Sequence, residues 1–531
     1  MTQQTLKITL CLNSSKTVPA WVYHSISEIN KVPLVEIVAL IIIPENKKLI
    51  SFNRLLTQAL KRLKSPPFNN NYAKQVALKP LLKNTAEYRL NYQKTNTVDI
   101  DLTQIPNTDL IINYTQALLV SLKNKHPSHG IWNHLFNNNG NLETTHSAIK
   151  ETYLNQPTLI CELRSQCTGS AQSQLITSAS TCPSDNSIEQ SNHYIHWRAS
   201  RLAQNAIHQL LINPQTIANN KELKLHHNTL SSFSLGRYFF NYLLQRLTKK
   251  IQAQQYFEQW VLFYKFTDDN NPNSAIDMSS FTPIKPPKDK FWADPHIVVD
   301  NGHYYIFFEE LPYATWKGHL AVIEINKNGT ISPATTILNT NYHLSYPHIF
   351  KHDGCYYMIP ETAQNKTIEL YRCTDFPYQW EFVNNLMEDV VAVDTTLYFE
   401  GQHCWLFTNI KAVDGAPIHD ELSLFYSNQG FQHQQWISHP QNPIISNVES
   451  ARPAGKLFMH EGKLYRPSQD CSHHYGYGYN LNEVTQLTET EYQEEQTQKV
   501  TPDWDEKVVA THTYNHTKGL TLCDGILIRK K

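Results

Sequence analysis

Along the first 215 residues the apolar positions switch between two periods. Residues 6–14 (Leu-Lys-Ile-Thr-Leu-Cys-Leu-Asn-Ser) and 34–43 (Leu-Val-Glu-Ile-Val-Ala-Leu-Ile-Ile-Ile) predict strands, the second almost continuously apolar, as a strand covered on both faces would be. Residues 19–29 between them have helical spacing. A helix is expected over 52–63, strands over 98–102 and 109–115, and a long amphipathic helix over 195–212. This β-α-β alternation predicts an α/β domain, Rossmann-like with a mostly parallel sheet, over residues 1–215. Residues 216–258 contain Phe239-Asn-Tyr-Leu-Leu-Gln-Arg-Leu-Thr-Lys-Lys-Ile, again at helical spacing, and read as a helical connector.

The second half repeats. Four segments share a polar entry, a Pro or Thr, an apolar strand, a Gly-closed turn and an aromatic-rich second strand: Ala293 to Gly302, Ser345 to Gly354, Val393 to Gly401 and Ala451 to Gly462. Their marker Pro or Thr falls at 295, 347, 395 and 453, a step of about 50 residues. Asp300-Asn-Gly302, Asp353-Gly354 and Glu461-Gly462 supply the positive-φ positions a hairpin needs. Further strands follow, as at 319–325, 367–373 and 422–426. Four strands per 50-residue unit predicts a β-propeller blade. A fifth blade can be assembled from both ends, with Thr511 to Asn515 and Gly525 to Ile528 inside and Trp260 to Phe266 outside. Residues 259–531 are therefore expected to form an all-β five-bladed propeller.

Composition narrows the class. A chain of 531 residues implies two to four domains. With 46 Lys and Arg against 47 Asp and Glu, it lacks the basic character of a nucleic-acid partner. The longest apolar run, Ile37 to Ile43, falls short of the roughly 20 residues of a membrane span. The start lacks a secretory pattern, so a cytoplasmic protein is expected. Nine scattered cysteines without a C-x-x-C pair indicate neither a disulfide framework nor a zinc ribbon, and Cys471-Ser-His473-His474 lacks a fourth ligand. No P-loop, G-x-G-x-x-G or G-x-S-x-G occurs, and neither a cofactor nor a metal is implied.

Candidate chemistry converges at the propeller's channel. The residue before each marker should sit at one mouth: Asp294, Tyr346, Asp394 and Arg452, with His512 or Tyr514 from the fifth blade. Carboxylates perform acid/base work and aromatic faces stack on pyranose rings, so with Trp292 beside them these residues outline a sugar site. Acids on otherwise apolar second strands (Glu309, Glu310, Glu361, Asp470) would be costly facing inward unless paired, and one of them could salt-bridge Arg452.

Trp292-Ala-Asp-Pro295, Val393-Asp-Thr-Thr396 and Val448-Glu-Ser-Ala-Arg-Pro453 resemble the motifs of five-bladed glycoside hydrolases of family 43. That resemblance implies Asp294 as general base, Asp394 as the carboxylate that tunes pKa and Glu449 as general acid, with Glu449 four residues before Pro453 where the family places its acid two before. A broader set, Phe291 to Pro295, Phe307 to Leu311, Leu344 to Pro347, Met358 to Thr362, Arg452 to Gly455, Arg466 to Cys471 and Tyr475-Gly476, resembles the propeller N-terminal to the glycosyltransferase domain of plant glucosamine inositolphosphorylceramide transferases and bacterial proteins joining such a propeller to a formyltransferase-like domain. It implies work on a glycan, nucleotide-sugar or other glycoconjugate, contacted by Trp292, Glu310, Tyr346, Glu361, Arg452, Asp470 and His512.

Asp109-Leu-Ile-Ile-Asn-Tyr and Gly130-Ile-Trp-Asn-His134 resemble the N-terminal domain of formyl-folate-dependent formyltransferases. That family uses an Asn and a His two residues apart plus a later Asp. Here Asn133 and His134 are adjacent, so they project to opposite faces of a strand, and the stretch 163–169, read as a loop, has no Asp. The resemblance implies a degenerate relative that binds or scaffolds. The alternatives to a glycosidase-like enzyme are a non-catalytic glycan-binding or scaffold protein of polysaccharide biosynthesis and a sugar N-formyltransferase.

Overall fold

The computed structural model describes residues 5–44, 71–82, 85–89, 97–101, 103, 105–115, 117–123, 127–136, 148–154, 156–166, 171–184, 187–212, 219–225, 231–267, 278–401, 403–517 and 519–531. The helix expected over 52–63 lies outside them. The chain forms two compact units, Met1–Arg246 with Val413–Pro417, and Leu247–Ala412 with Ile418–Lys531.

The first unit is built on an eight-stranded sheet in the order 219–224, 172–181, 159–166, 131–135, 110–113, 6–12, 35–42, 86–89. The five strands from Ile131–Leu135 to Ala86–Arg89 run parallel. The other three extend the sheet antiparallel. One of these, Leu159–Gln166, includes residues 163–166, for which the sequence predicts a loop. Polar Glu162, Arg164 and Gln166 hid that strand. They are buried because Glu162 binds Arg164 at 2.8 Å and the Gln166 amide donates to Leu119 O.

Strand periodicity sorts the sheet's two faces. Leu6, Ile8, Leu10 and Leu12 pack with the helices Ala20–Ile29 and Ile188–Ile212, whereas Cys11, Ala39, Ile41 and Ile111 pack with Val98 and Leu119 of a small two-stranded sheet. From its first strand the chain moves to Val35–Ile42 on one side and later to Leu110–Asn113 on the other, so the strand order reverses between Leu6–Leu12 and Leu110–Asn113.

The second unit is a five-bladed β-propeller. Blade I comprises Lys290–Asp300, His303–Pro312, His319–Ile325 and Thr335–Leu338; blade II, Ser345–His352, Cys355–Thr362, Thr367–Asp375 and Gln379–Glu388; blade III, Ala392–Glu400, His403–Ile410, Ser423–Ser427 and Ile437–Ser438; blade IV, Phe458–His460, Lys463–Asp470, Gly478–Leu487 and Tyr492–Val500. Blade V takes its inner strands from the end of the chain, Val508–Ala510 and Tyr514–Thr517 against Leu520–Lys530, and its outer strands from Tyr256–Phe266 and Thr282–Ile284. Eleven residue pairs join Tyr256–Phe266 to Leu520–Lys530 and so close the ring.

Between successive blades lies a separate apolar core. Ile306 and Phe308 face Leu520 and Leu522 across the V–I seam; Phe307 faces Met358 and Trp380 across I–II; Ile359 faces Leu397 and Leu406 across II–III; Phe407 faces Tyr492 across III–IV; and Tyr479 faces Tyr514 across IV–V. Much of the chain's aromatic content is spent in these seams, where each large ring removes about 150–250 Å² from water.

Candidate functional site

The marker motif has a backbone cause. In blades I, II and III the first two strands lose register just before the marker, between Ala293 and His296, Ser345 and His348, and Val393 and Thr396. The bulged residue is left-handed in each: Asp294 at φ 53°, Tyr346 at 41° and Asp394 at 51°. Asp tolerates this conformation through local hydrogen bonding, whereas for Tyr it is strained. Proline, which has no N–H to give the ladder, follows the bulge at 295 and 347.

The bulge turns these residues into the channel mouth, where they interlock. Asp524 of blade V accepts the Asp294 amide at 2.9 Å, and Asp294 accepts the Tyr346 amide at 3.2 Å. Tyr346, fully buried, carries its hydroxyl across the channel to Thr396 Oγ1 at 2.8 Å and accepts the Gly455 amide at 2.8 Å. Arg452 clamps Asp394 through Nε at 2.5 Å and Nη2 at 3.2 Å, and its Nη2 lies 3.6 Å from Glu361. Gln469 adds a third donor to Asp394 at 2.8 Å. His512 bridges Asp524, 2.8 Å from Nδ1, and Asp294, 3.3 Å from Nε2.

Five carboxyls (Asp294, Glu309, Glu361, Asp394 and Asp524) thus face one water-poor mouth with three partners able to carry positive charge, Arg452, His512 and His343, the last 3.2 Å from Glu309. Excess negative charge in such a place is relieved by holding protons. Burial raises the Asp294 carboxyl to about 7, against the pull of His512 and with the push of Asp394. Burial and then the neighbouring Asp394 raise Glu361 well above its ordinary range, with Arg452 opposing. His512, which burial alone would discharge, is held protonated at about 9 by Asp524 and Asp294. Asp524 stays ionised below the ordinary range because His512 and the amides of Asp294 and His512 outweigh its burial.

Aromatic rings surround this cluster. Tyr475 is 40% exposed, lies 4.9 Å from the Arg452 guanidinium and meets His512 edge-on, while Trp260 stacks on His512 at 4.2 Å. His419 sits 2.6 Å from Arg452 Nη1 and is held neutral, at about 3, by burial and by that cation. Asp294, His512 and Asp524 also bring three ligand atoms within 4.8 Å of one another. At neutral pH the His512 proton fills that place, and a cation would have to displace it.

Not every residue expected at the mouth is there. Asp294, Tyr346, Asp394, Arg452, His512 and Glu361 come together. Glu310, Trp292 and Asp470 do not take part, for a reason of parity. The channel-facing second-strand position pairs with the residue before each bulge, as Ala293 pairs with Glu309, Ser345 with Glu361 and Val393 with Asn409. Gln469, whose amide donates to Arg452 O, and Asp524 hold it in blades IV and V. Glu310 and Asp470 lie one residue further and face away. Glu310 accepts Trp292 Nε1 at 2.7 Å and Lys290 at 3.0 Å; these bonds and His319 outweigh burial and hold it at about 2, and they lock Trp292. Asp470 pairs with Lys499 at 2.7 Å. Glu449, with its side chain 41% exposed, has the same Lys499 as its charged partner, at 3.9 Å.

Gln469, Asp524, His419 and Trp260 were missed from sequence. A partial signal for the first two was present: a polar residue recurs at the equivalent second-strand position of every blade, 309, 361, 409, 469 and 524, but polar neighbours such as Glu310, Thr408, Ser468 and Asp470 obscure it.

In the first unit, Asn133 and His134 do point to opposite faces. Asn133 exchanges amide hydrogen bonds with Asn113 at 2.8 Å and Gln166 at 3.3 Å, while the His134 ring stacks on Tyr114.

The fold and site thus define a five-bladed propeller with a proton-holding carboxyl cluster at one channel mouth. Residues 272–519 match the family described as glucosamine inositolphosphorylceramide transferase 1, N-terminal. The rice (Oryza sativa subsp. japonica) glucosamine inositolphosphorylceramide transferase 1 is 35% identical over 207 residues, 38% of this chain and 27% of that protein. Its Arabidopsis thaliana namesake is 32% identical over 225 residues, 42% of this chain and 29% of that protein. The chain therefore spans less than a third of the length of these relatives. Among solved structures, a family 117 glycoside hydrolase of Zobellia galactanivorans aligns over 51% of this chain and 90% of its own at 11% identity and a TM-score of 0.33. The catalytic domain of a Coprinopsis cinerea GH62 alpha-L-arabinofuranosidase aligns over 46% and 94% at 13% identity and a TM-score of 0.32. Likeness at that distance says nothing of chemistry. Among the described residues no helix is long and apolar enough to cross a membrane.

Proposed function

We propose that the propeller acts on a glycan or glycoconjugate at this mouth, and that the group it takes there is an amino sugar. The observation that carries this reading is the surplus of buried carboxyls over cations around Arg452 and His512. That surplus is balanced by protons on Asp294 and Glu361, and a cationic sugar amine entering the mouth would take over the protons' role. Tyr475, exposed beside the cluster, offers a face for the pyranose ring. The relatives' name, which pairs glucosamine with inositolphosphorylceramide, agrees with such a ligand.

Turnover at this site would use Glu361, which keeps its proton, as proton donor and Asp294 as the base once the entering amine has displaced the Asp294 proton to solvent, with Asp394 fixed by Arg452 as the charge that keeps Glu361 protonated. Glu449, paired outside the cluster with Lys499, has no part in that scheme. A second reading, recognition without turnover, draws support from the saturation of Asp394 by Arg452 and Gln469. The two separate in one experiment, in which full-length protein is incubated with glucosamine-terminated oligosaccharides while binding is followed by calorimetry and product by mass spectrometry. Product formation abolished by Glu361→Gln supports the enzyme. Binding without product supports the recognition module. Absence of both removes the glycan reading.

A further inference from the structure

A cavity of about 340 Å³ opens in the first unit, apart from the propeller mouth. It lies at the carboxyl ends of the parallel strands Leu6–Leu12, Leu110–Asn113 and Ile131–Leu135, where the strand order reverses. Open α/β sheets leave a crevice at that point, because the connections depart to opposite faces and diverge.

The lining is aromatic and uncharged. Trp21 meets Tyr114, His134, Phe136 and His196 edge-on at 5.5–5.7 Å, while Tyr114 stacks on His134 at 4.8 Å and Phe136 on His196 at 4.1 Å. Among the described residues, no Asp, Glu, Lys or Arg lines the cavity. Its other polar groups are largely engaged: the Asn113 amide with Ala117 O, Asn133 and Thr115, and the Tyr114 hydroxyl with Ser25. His134 differs. It is 6% exposed, and neither ring nitrogen makes a well-formed hydrogen bond. Burial keeps the ring neutral, at about 4, with the main chain of Asn113 opposing. A neutral imidazole has one donor and one acceptor; the main chain of Asn113 serves one ring nitrogen at best, and leaving the other unmet in a buried site is costly unless an occupant meets it.

We propose that this cavity is a binding site for one uncharged sugar unit of hexopyranose type, whose hydroxyls bond to His134 and whose apolar face lies on the aromatic wall. A hydroxyl both donates and accepts, which suits an imidazole nitrogen in either tautomer, and a hexose is small enough for the cavity. A charged ligand would meet no counter-charge in the lining and would lose its hydration. This second sugar site is independent of the mouth proposed above.

The test is calorimetric titration of the full chain with N-acetylglucosamine and glucose to about 50 mM, well above the roughly millimolar Kd expected of so small a ligand. Adenosine serves as the planar competitor. Three variants accompany it: His134→Ala; Thr17→Trp, which fills the cavity from its exposed rim; and Asp294→Asn, which alters only the mouth. Sugar binding that weakens about ten-fold or more in His134→Ala and Thr17→Trp but persists in Asp294→Asn supports the proposal. Should His134→Ala fail to fold, Thr17→Trp decides alone. No sugar binding, adenosine binding in its place, or sugar binding unaffected by Thr17→Trp would overturn it.

Discussion

Replacing Arg452 with Met removes the cation on which the mouth turns. The guanidinium holds Asp394 at 2.5 and 3.2 Å and lies 3.6 Å from Glu361, all three being largely withdrawn from water. At an effective dielectric constant near 20, the charged pair of Arg452 and Asp394 is worth roughly 4 kcal/mol of attraction at about 4 Å, and cutting one partner from a buried pair costs about 3–5 kcal/mol because the other charge is stranded. For a propeller of this size that corresponds to a fall in Tm on the order of 10 °C. The stranded charge is relieved by proton uptake. A carboxyl whose pKa is raised on folding costs stability above its unfolded pKa, so the defect should be large at pH 8 and should shrink as pH falls toward the ordinary carboxyl range near 4. Urea unfolding followed by tryptophan fluorescence at pH 5 and pH 8 measures both, and Arg452→Met combined with Asp394→Asn should recover part of the loss. A defect under about 1 kcal/mol at pH 8, or one independent of pH, would refute the charge balance described for the mouth.

Other substitutions probe separate parts of the ring. The His512 folded pKa, raised from 6.5 to about 9, gives stabilisation that is complete below 6.5 and lost as pH rises through 9; wild-type stability should fall over that window, and His512→Gln should remove the slope in pH-dependent urea unfolding. Glu361→Gln, which mimics the protonated acid, should change stability by less than about 1 kcal/mol at pH 7 by the same assay, since it removes no charge the folded state holds there. Tyr346→Phe strands the Gly455 amide and the Thr396 hydroxyl and should cost about 1–3 kcal/mol. Gly455→Ala puts a Cβ 2.0 Å from the Tyr514 carbonyl oxygen at a φ of 139°, and should lower stability by about 4 kcal/mol or more through loss of the blade IV–V seam.

The propeller was legible in sequence because each blade repeats a local signal, a Gly-closed hairpin between an apolar and an aromatic strand, at a step near 50 residues. The bulge was not. Nothing in Ala-Asp-Pro or Ser-Tyr-Pro announces a left-handed residue, yet that conformation turns Asp294, Tyr346 and Asp394 inward. Parity was the second obstacle. Glu309 and Glu310 are adjacent and chemically alike, and only the pairing of Ala293 with Glu309 decides which one faces the channel. The strand Leu159–Gln166 was hidden because its buried Glu162 and Arg164, two residues apart on one face, satisfy each other, a pairing that apolar periodicity does not register. The N-terminal cavity depends on strand order, which residues 6–14 and 109–115 do not carry in their own pattern.

The central claim is that protons at the propeller mouth stand in for a ligand's positive charge. It is tested most directly by titrating a glucosamine-terminated oligosaccharide into the protein at pH 6.5 in buffers of different ionisation enthalpy, which yields the number of protons exchanged on binding. The account predicts release of about one proton, absent with the N-acetylated sugar and lost in Glu361→Gln combined with Asp294→Asn. Binding with no proton release, or equal binding of the amine and its acetylated form, would contradict it.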